Sequence, residues 1–466
     1  MITLDHVIEN SIKMGKFQYI VLCIISMIDF ADGIEKTLIG TLQSILKNQW
    51  DLNDLDISLM TSSYFIGIVS GTLLCAFYAD HVGRAKTLLY SSLLAFLLLL
   101  WHSFAQSFVE ILVLRFCFGV IFGTTIPLGH VVISEIVPAK IRGQIMTIVA
   151  TVFIIGKIYC TGLQMIFLND FKSGHWRLLL IVNSLPLFLC FVSSILYLKE
   201  SPRYYFTKFN YDQGFLELEH IGKVNNGTSY QLTDEQKQGI LEQQQQINQE
   251  QEPIKTVKYL FSRQYINFTI RIWIVFMLTS IIETTLYYLM PFWLGDSQKG
   301  FMAQMYMMLA ELVAGIAVYF IIDSKKTGGR SKLVMILSVM IFVTSLILII
   351  FQDSFLIYGL TIISFLLKVM FTTEMVIMNE NYTTQYRSMG VGMTQTVGKF
   401  MGVISPYFIY PMYSEDPYSP FYLYSGCMIV LAVMSATLPF DMTQVELDNI
   451  EVYKQKQNKK SLVDSE

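Results

Sequence analysis

Apolar residues fall along this chain in long runs separated by polar stretches. The runs lie at about 18–40, 57–78, 87–105, 108–134, 145–168, 178–198, 269–292, 301–322, 333–351, 354–379, 391–413 and 421–440. A helix that crosses a bilayer needs roughly 20 predominantly apolar residues, and each run is close to that length. Six runs come first, then a polar gap of about 70 residues, then six more. The pattern predicts an all-α membrane protein with twelve transmembrane helices in two pseudo-symmetric six-helix bundles. The expected divisions are a cytosolic N-terminal segment at 1–17, an N-terminal bundle at 18–203, a cytosolic central loop at 204–265, a C-terminal bundle at 266–440 and a cytosolic tail at 441–466.

Composition agrees: hydrophobic residues make up 53% of the chain and charged residues 15%, too few charges for a soluble protein of this length. The net charge of −3 matters less than where the basic residues lie. One set of loops and helix ends holds Lys13, Lys16, Arg84, Lys86, Lys140, Arg142, Lys325, Lys326, Arg330, Lys332 and Arg387; the opposite set holds Lys47, Lys172, Arg177 and Lys299. An excess of Lys and Arg marks the cytosolic side, so both termini are expected there, in a plasma membrane or an intracellular vesicle or organelle membrane. Residues 1–16 show no cleavage pattern, and the first helix is expected to act as the insertion signal. All six cysteines lie inside predicted spans, which argues against a disulfide framework or a metal site. The central loop holds a Gln/Glu-rich tract from Leu241 to Glu252 that offers no core of its own, so the loop reads as a tether. The tail carries a basic cluster at Lys454, Lys456, Lys459 and Lys460 that either touches anionic lipid or is solvated.

One group of polar residues occurs twice. Asp80, Gly83 and Arg84 separate two apolar runs, and Glu135 and Arg142 follow. In the second half Asp323, Gly329 and Arg330 fill the equivalent gap, followed by Glu380 and Arg387. The two Asp positions are 243 apart, the two Glu positions 245, and Glu precedes Arg by seven both times. A repeat of this length built from membrane helices indicates two related halves.

These residues resemble the major facilitator superfamily over nearly the whole chain. AFYADHVGRAKTLL is similar to its loop between helices two and three, and Arg115, Gly119 and Gly123 match its helix-four pattern. SEIVPAKIRG, with Glu135, Pro138, Arg142 and Gly143, resembles a signature of sugar porters and their relatives, and KESPRYY resembles the element after helix six. Gly15 to Gln18, Trp176-Arg177, the Glu380 to Arg387 segment and VGKFMGVISPY resemble the organic cation, organic anion and synaptic-vesicle-glycoprotein branch. The chain departs from that branch's organic ion transporters in its short, cysteine-free loop from about Thr41 to Asp56, and Thr383 stands where the family has proline. The resemblance implies the major facilitator fold, alternating access, and a cytosolic gate of Asp80, Gly83, Arg84, Glu135, Arg142, Glu200, Arg203, Asp323, Gly329, Arg330, Glu380 and Arg387. Exposed pairs contribute only about 0–1 kcal/mol each, so such a gate must act as a network.

Ionisable side chains at bilayer depth cost roughly 2.5–3.5 kcal/mol even on the mildest scale, which makes each a functional candidate. Here they are Asp29, Asp32, Glu35, Lys157, Glu283, Glu311, Lys368, Glu374 and Lys399. The resemblance puts nearly all of them on helices that line or flank the central path. Lys399, seven before Pro406, falls where the organic cation branch has Asp and the organic anion branch a basic residue. It either attracts an anionic solute or neutralises an acid such as Glu374. Lys157 and Lys368 either join an anion site or pair with carboxylates. Asp29, Asp32 and Glu35 crowd one helix and are candidates for proton coupling. Tyr287 and Tyr288, with Tyr64, Tyr159, Trp273 and Phe371, either stack on a solute or pack helices. Arg271 reads as an anchor at the cytosolic start of helix seven.

The expected function is secondary active transport of a small organic solute, an anion in first preference, with proton coupling. Sugar, organic cation and phosphate remain alternatives, as does a non-transporting receptor or structural subunit. No nucleotide loop, metal spacing or His-based nucleophile is present, His102, His130 and His175 being scattered, so no enzyme activity and no cofactor are expected. The expected partners are the solute and the bilayer, not nucleic acid, and a monomer is expected.

Overall fold

The computed structural model describes residues 3–138, 141–249, 260–262, 266–295, 298–322, 329–382 and 387–438. The side chains of 76–80, 244–249, 298, 319, 387 and 388 are also outside the described set. Asp323, the side chains of Asp80 and Arg387, and the basic tail cluster therefore lie outside the described residues.

A short helix α1 (Leu4–His6) continues into a π-helical turn, Val7–Ile12, ahead of α2 (Lys16–Gln49). There follow α3 (Asp54–Val82), α4 (Arg84–His102), α5 (Phe108–Ile136), α6 (Arg142–Phe167) and α7 (Trp176–Tyr197). Three polar-faced helices come next, α8 (Pro202–Thr207), α9 (Tyr211–Asn226) and α10 (Asp234–Gln249). The second half contains α11 (Ile266–Leu294), α12 (Gln298–Ile321), α13 (Arg330–Phe351), α14 (Leu356–Asn381), α15 (Arg387–Ile404), α16 (Pro406–Glu415) and α17 (Ser419–Ala436).

Among the described residues eleven helices are long and apolar enough to cross a membrane. The run expected at 391–413 is instead two helices, α15 and α16. Pro406 lacks an N–H and interrupts the helical hydrogen-bond ladder, yet Ser405 keeps right-handed helical angles (φ −57°, ψ −36°), so the segment kinks without ending.

Contacts divide the chain into two compact units. The first comprises Met1–Ile39, Ser63–Leu168 and Ser173–Pro253. Its helices cross at glycine. A Cβ at Gly67 would stand 2.4 Å from the Phe116 carbonyl, one at Gly71 1.9 Å from that of Val120, and one at Gly119 2.3 Å from that of Tyr64. Paired glycines four apart on α3 and α5 thus let two backbones touch. The gap also admits hydrogen bonds from Thr124 Oγ1 to the Gly71 carbonyl (3.0 Å) and from Thr72 Oγ1 to that of Gly123 (3.2 Å).

The central loop is more than a tether. Leu218 and Ile221 of α9, Leu232, and Ile240 of α10 are buried in one core with Leu4, Val7, Ile8 and Ile12. Apolar positions three apart on α9 give it one face to bury, and the N-terminal segment covers that face. Gln243 Oε1 accepts from the Leu4 N–H (2.9 Å), and Gln236 Nε2 donates to Ser11 Oγ (2.9 Å).

The second unit comprises Gly40–Ser62, Asn169–Lys172 and Ile254–Glu466. It contains the last turns of α2, which run on to Gln49, well past the expected end near 40. Thr41, Gln43 and Ser44 there are buried, and the pairing of Gln43 lets the helix extend. Gln43 donates to Thr61 Oγ1 (2.5 Å) and accepts from Tyr410 Oη (2.7 Å). Ser58 and Ser62 donate to the carbonyls of Pro406 (2.9 Å) and Val403 (2.7 Å), beside the kink.

Candidate functional site

In the first unit the buried carboxylate of Glu35 on α2 pairs with the guanidinium of Arg115 on α5, and both side chains are almost closed to solvent. A charge on α2 is thereby met by one on α5, as dry ions require. Glu35 Oε2 and Arg115 Nε and Nη2 have no hydrogen-bond partner among the described residues. Six residues before Glu35, Asp29 Oδ1 lies 3.0 Å from Nε2 of His130, again on α5. Asp32 is half-buried between them in sequence. Lys157 is buried on α6, its Nζ 4.6 Å from the centre of the Phe153 ring. The neighbouring Gly156 allows α6 to meet α2, where a Cβ would stand 2.1 Å from the Phe30 carbonyl.

At the end of the first unit that carries the repeated charges, Arg84 pairs with Glu135, and Ser201 Oγ donates to Glu135 Oε2 (2.5 Å). Gly83 has φ +106°, and Glu200 fills the space a Cβ there would take. From that place Glu200 accepts from the backbone N–H of Arg84 (2.9 Å) and of Ala85 (3.1 Å), capping α4. Burial pushes the Glu200 carboxyl above its ordinary range, against the pull of those N–H donors and of Arg84. Arg203 Nε donates to the Glu135 carbonyl (3.2 Å). Arg142 approaches Asp5 at 3.6 Å, and Arg203 bonds the same carboxylate. Nothing in the sequence pattern marked Asp5, which the N-terminal segment brings to the arginines.

In the second unit Arg330 pairs with Glu380, and Gly329 has φ +110°. The repeated group therefore forms the same ion pair in each half. Tyr287 Oη donates to Glu311, and Thr279 Oγ1 lies 2.7 Å from Glu374 Oε1; Glu311 and Glu374 are both buried. Glu283, Lys368 and Lys399 are half-buried and Tyr288 is buried. Glu374 has no cationic partner among the described residues, so Lys399 does not neutralise it.

Several aromatics pack against other rings: Tyr64 stacks with Phe118, Phe371 lies 5.5 Å from Phe276, and Trp273 meets Phe261 edge-on. Arg271 donates to the Thr437 carbonyl at the end of α17, so it ties two helices together. The apolar pattern does not reveal Arg115 and His130 as the partners of Glu35 and Asp29. The available signal was a charged or imidazole side chain inside the apolar stretch of α5. No group of three metal-ligating side chains occurs among the described residues.

The family model described as Major Facilitator Superfamily matches residues 22–406. The Synaptic vesicle 2-related protein of Pongo abelii is 25% identical over 463 residues, covering 93% of this chain and 80% of its own. Among solved structures, the inward open conformation of the xylose transporter XylE from E. coli superposes with a TM-score of 0.74 at 14% identity, over 94% of this chain and 100% of that one. A D-xylose-proton symporter gives 0.70, also at 14%, over 92% and 100%. At such identity these structures share the fold.

Proposed function

Because the chain belongs to the Major Facilitator Superfamily, we propose that it is a secondary active transporter moving a small organic solute across a membrane by alternating access. The observation that carries this reading is the recurrence of one ion pair, Arg84 with Glu135 and Arg330 with Glu380, each following a glycine of positive φ. Asp80, Arg142, Glu200, Arg203, Asp323 and Arg387 complete the proposed gate network. Recurrence of one pair in both halves supports a duplicated architecture, on which alternating access is built.

The solute we favour is an organic anion, for which Lys157, Lys368 and Lys399 supply the cationic side chains and Tyr287 and Tyr288 apolar surface. Glu283, Glu311 and Glu374 are the acidic members of the same proposed set. Asp29, Asp32 and Glu35 are the proposed proton-coupling carboxylates, of which Asp29 and Glu35 already have basic partners on α5. The excess of Lys and Arg in one set of loops supports cytosolic termini. Similarity to a Synaptic vesicle 2-related protein along 93% of the chain supports an intracellular vesicle membrane.

Purified protein screened by thermal shift against carboxylates, sugars, organic cations and phosphate tests the solute class, since a ligand of the folded state raises its apparent stability. Stabilisation by carboxylates that is lost in Lys399→Asp, with uptake into proteoliposomes, is the expected result. Stabilisation by cations or sugars alone overturns the anion assignment. Binding without uptake favours a receptor.

A further inference from the structure

Glu374 lies on α14 with 0% of its surface exposed. Its two oxygens differ: Oε1 is 2.7 Å from Thr279 Oγ1, and Oε2 has no hydrogen-bond partner among the described residues. The helices packed on α14 carry few charges. They are Arg271 and Glu283 on α11, Lys299 and Glu311 on α12, Arg330 and Lys332 on α13, and Arg387 and Lys399 on α15, with Lys368 and Glu380 on α14 itself. Among the described side chains, Glu283 is the charged neighbour that acts on Glu374, and it is a second acid. An anion here would give up water and gain no counter-charge from the described side chains. Glu35 differs, since Arg115 supplies that counter-charge.

The hydroxyl of Thr279 can accept a hydrogen bond from a neutral acid at Glu374. It has one hydrogen to donate, yet two acceptors lie in range, Glu374 Oε1 at 2.7 Å and the Val275 carbonyl at 3.1 Å. A hydrogen on Glu374 Oε1 resolves the competition. Glu374 then donates to Thr279 Oγ1, and Thr279 donates to Val275.

We propose that Glu374 is a proton-binding site of the C-terminal half, carrying in this state a proton that it donates to Thr279. The proton comes from water and returns to water when a rearrangement hydrates the carboxyl; no other bond changes. The site stands on geometry within one unit, whereas its use in a transport cycle rests on the transporter reading above.

Infrared spectroscopy of the full-length protein in nanodiscs tests it without any solute. At pH 7 the wild type should show a protonated-carboxyl C=O band that is lost in Glu374→Gln, whose amide copies the shape of the neutral acid. Thr279→Val should keep the band and move it to higher frequency, because the hydrogen bond to the hydroxyl is gone. Glu374→Asp should return an acid band at a displaced frequency, which separates loss of the proton from loss of the fold. A difference spectrum between wild type and Glu374→Gln without that band overturns the proposal. Loss of the band when sodium replaces choline in the buffer also overturns it, in favour of a metal-cation site. Failure of every solute to bind leaves the band in place, so the two readings fail separately.

Discussion

Arg115 on α5 and Glu35 on α2 hold each other's charge inside the first unit, with relative side-chain exposures of 0% and 3%. Neither side chain can be removed alone without leaving a dry ion. Arg115→Met or Glu35→Leu should therefore cost about 3–5 kcal/mol, whereas the double variant should recover most of the loss. Thermal unfolding in detergent measures both. A double variant that melts like the wild type yet fails in uptake assigns the pair to the transport cycle. Equal losses in single and double variants would refute the coupling.

The glycine crossing of α3 and α5 yields a sharper steric forecast. A Cβ on Gly71 meets the Val120 carbonyl at 1.9 Å, and backbone cannot move aside as a flexible side-chain tip can. Gly71→Ala should destabilise by at least about 1–3 kcal/mol through overpacking. Gly162 on α6 is the internal control, since nothing lies within 4 Å of its added Cβ. There alanine should be neutral or stabilising by up to about 1 kcal/mol through helix propensity. Paired melting curves decide it.

Most of the fold was legible because apolar runs and repeated charges are local signals. The helices α2 to α7, α11 to α14 and α17 each contain a run that the sequence marks, and Gly83 and Gly329 stand where a turn needs positive φ. What the sequence hid were pairings between distant residues. Gln43 reads as loop until Thr61 and Tyr410 are beside it, and α2 then runs on to Gln49. Asp29 and Glu35 were visible as costly charges, but His130 and Arg115 become their partners only when α2 and α5 lie together. The polar central loop concealed an apolar face because Leu218, Ile221 and Ile240 are sparse in a Gln/Glu-rich context and become buried in a core they share with residues 4–12.

Glu200 gives a pH dependence whose sign follows from burial. Its carboxyl lies above the ordinary value of 4.5 in the folded protein, so at pH values between the two the unfolded chain binds fewer protons than the folded one. Stability from this group is thus fully present below 4.5 and is lost as pH rises through the folded value. Glu200→Gln should remove that slope while weakening the cap on α4. Melting temperatures of both proteins between pH 4 and pH 7, compared as differences, check it; a wild type that gains stability relative to Glu200→Gln on raising the pH would contradict the assignment.

The N-terminal segment should prove to be held by its apolar residues more than by its ion pairs. Asp5 bonds Arg203, but the two side chains are 44% and 29% exposed, so Asp5→Ala should cost no more than about 1 kcal/mol. Ile8 is 4% exposed in the core that joins the segment to α9 and α10. Burying an isoleucine contributes about 1.5–3 kcal/mol, and an aspartate there would add an unpaired charge. Ile8→Asp should therefore release the face of α9 that carries Leu218 and Ile221. Amide exchange in α9 should rise about tenfold or more, since 1.4 kcal/mol is a factor of ten. Exchange in the first half of α5, which holds Arg115 and lies outside the core of Ile8, should stay unchanged, and an equal rise there would mean that the segment supports the whole unit.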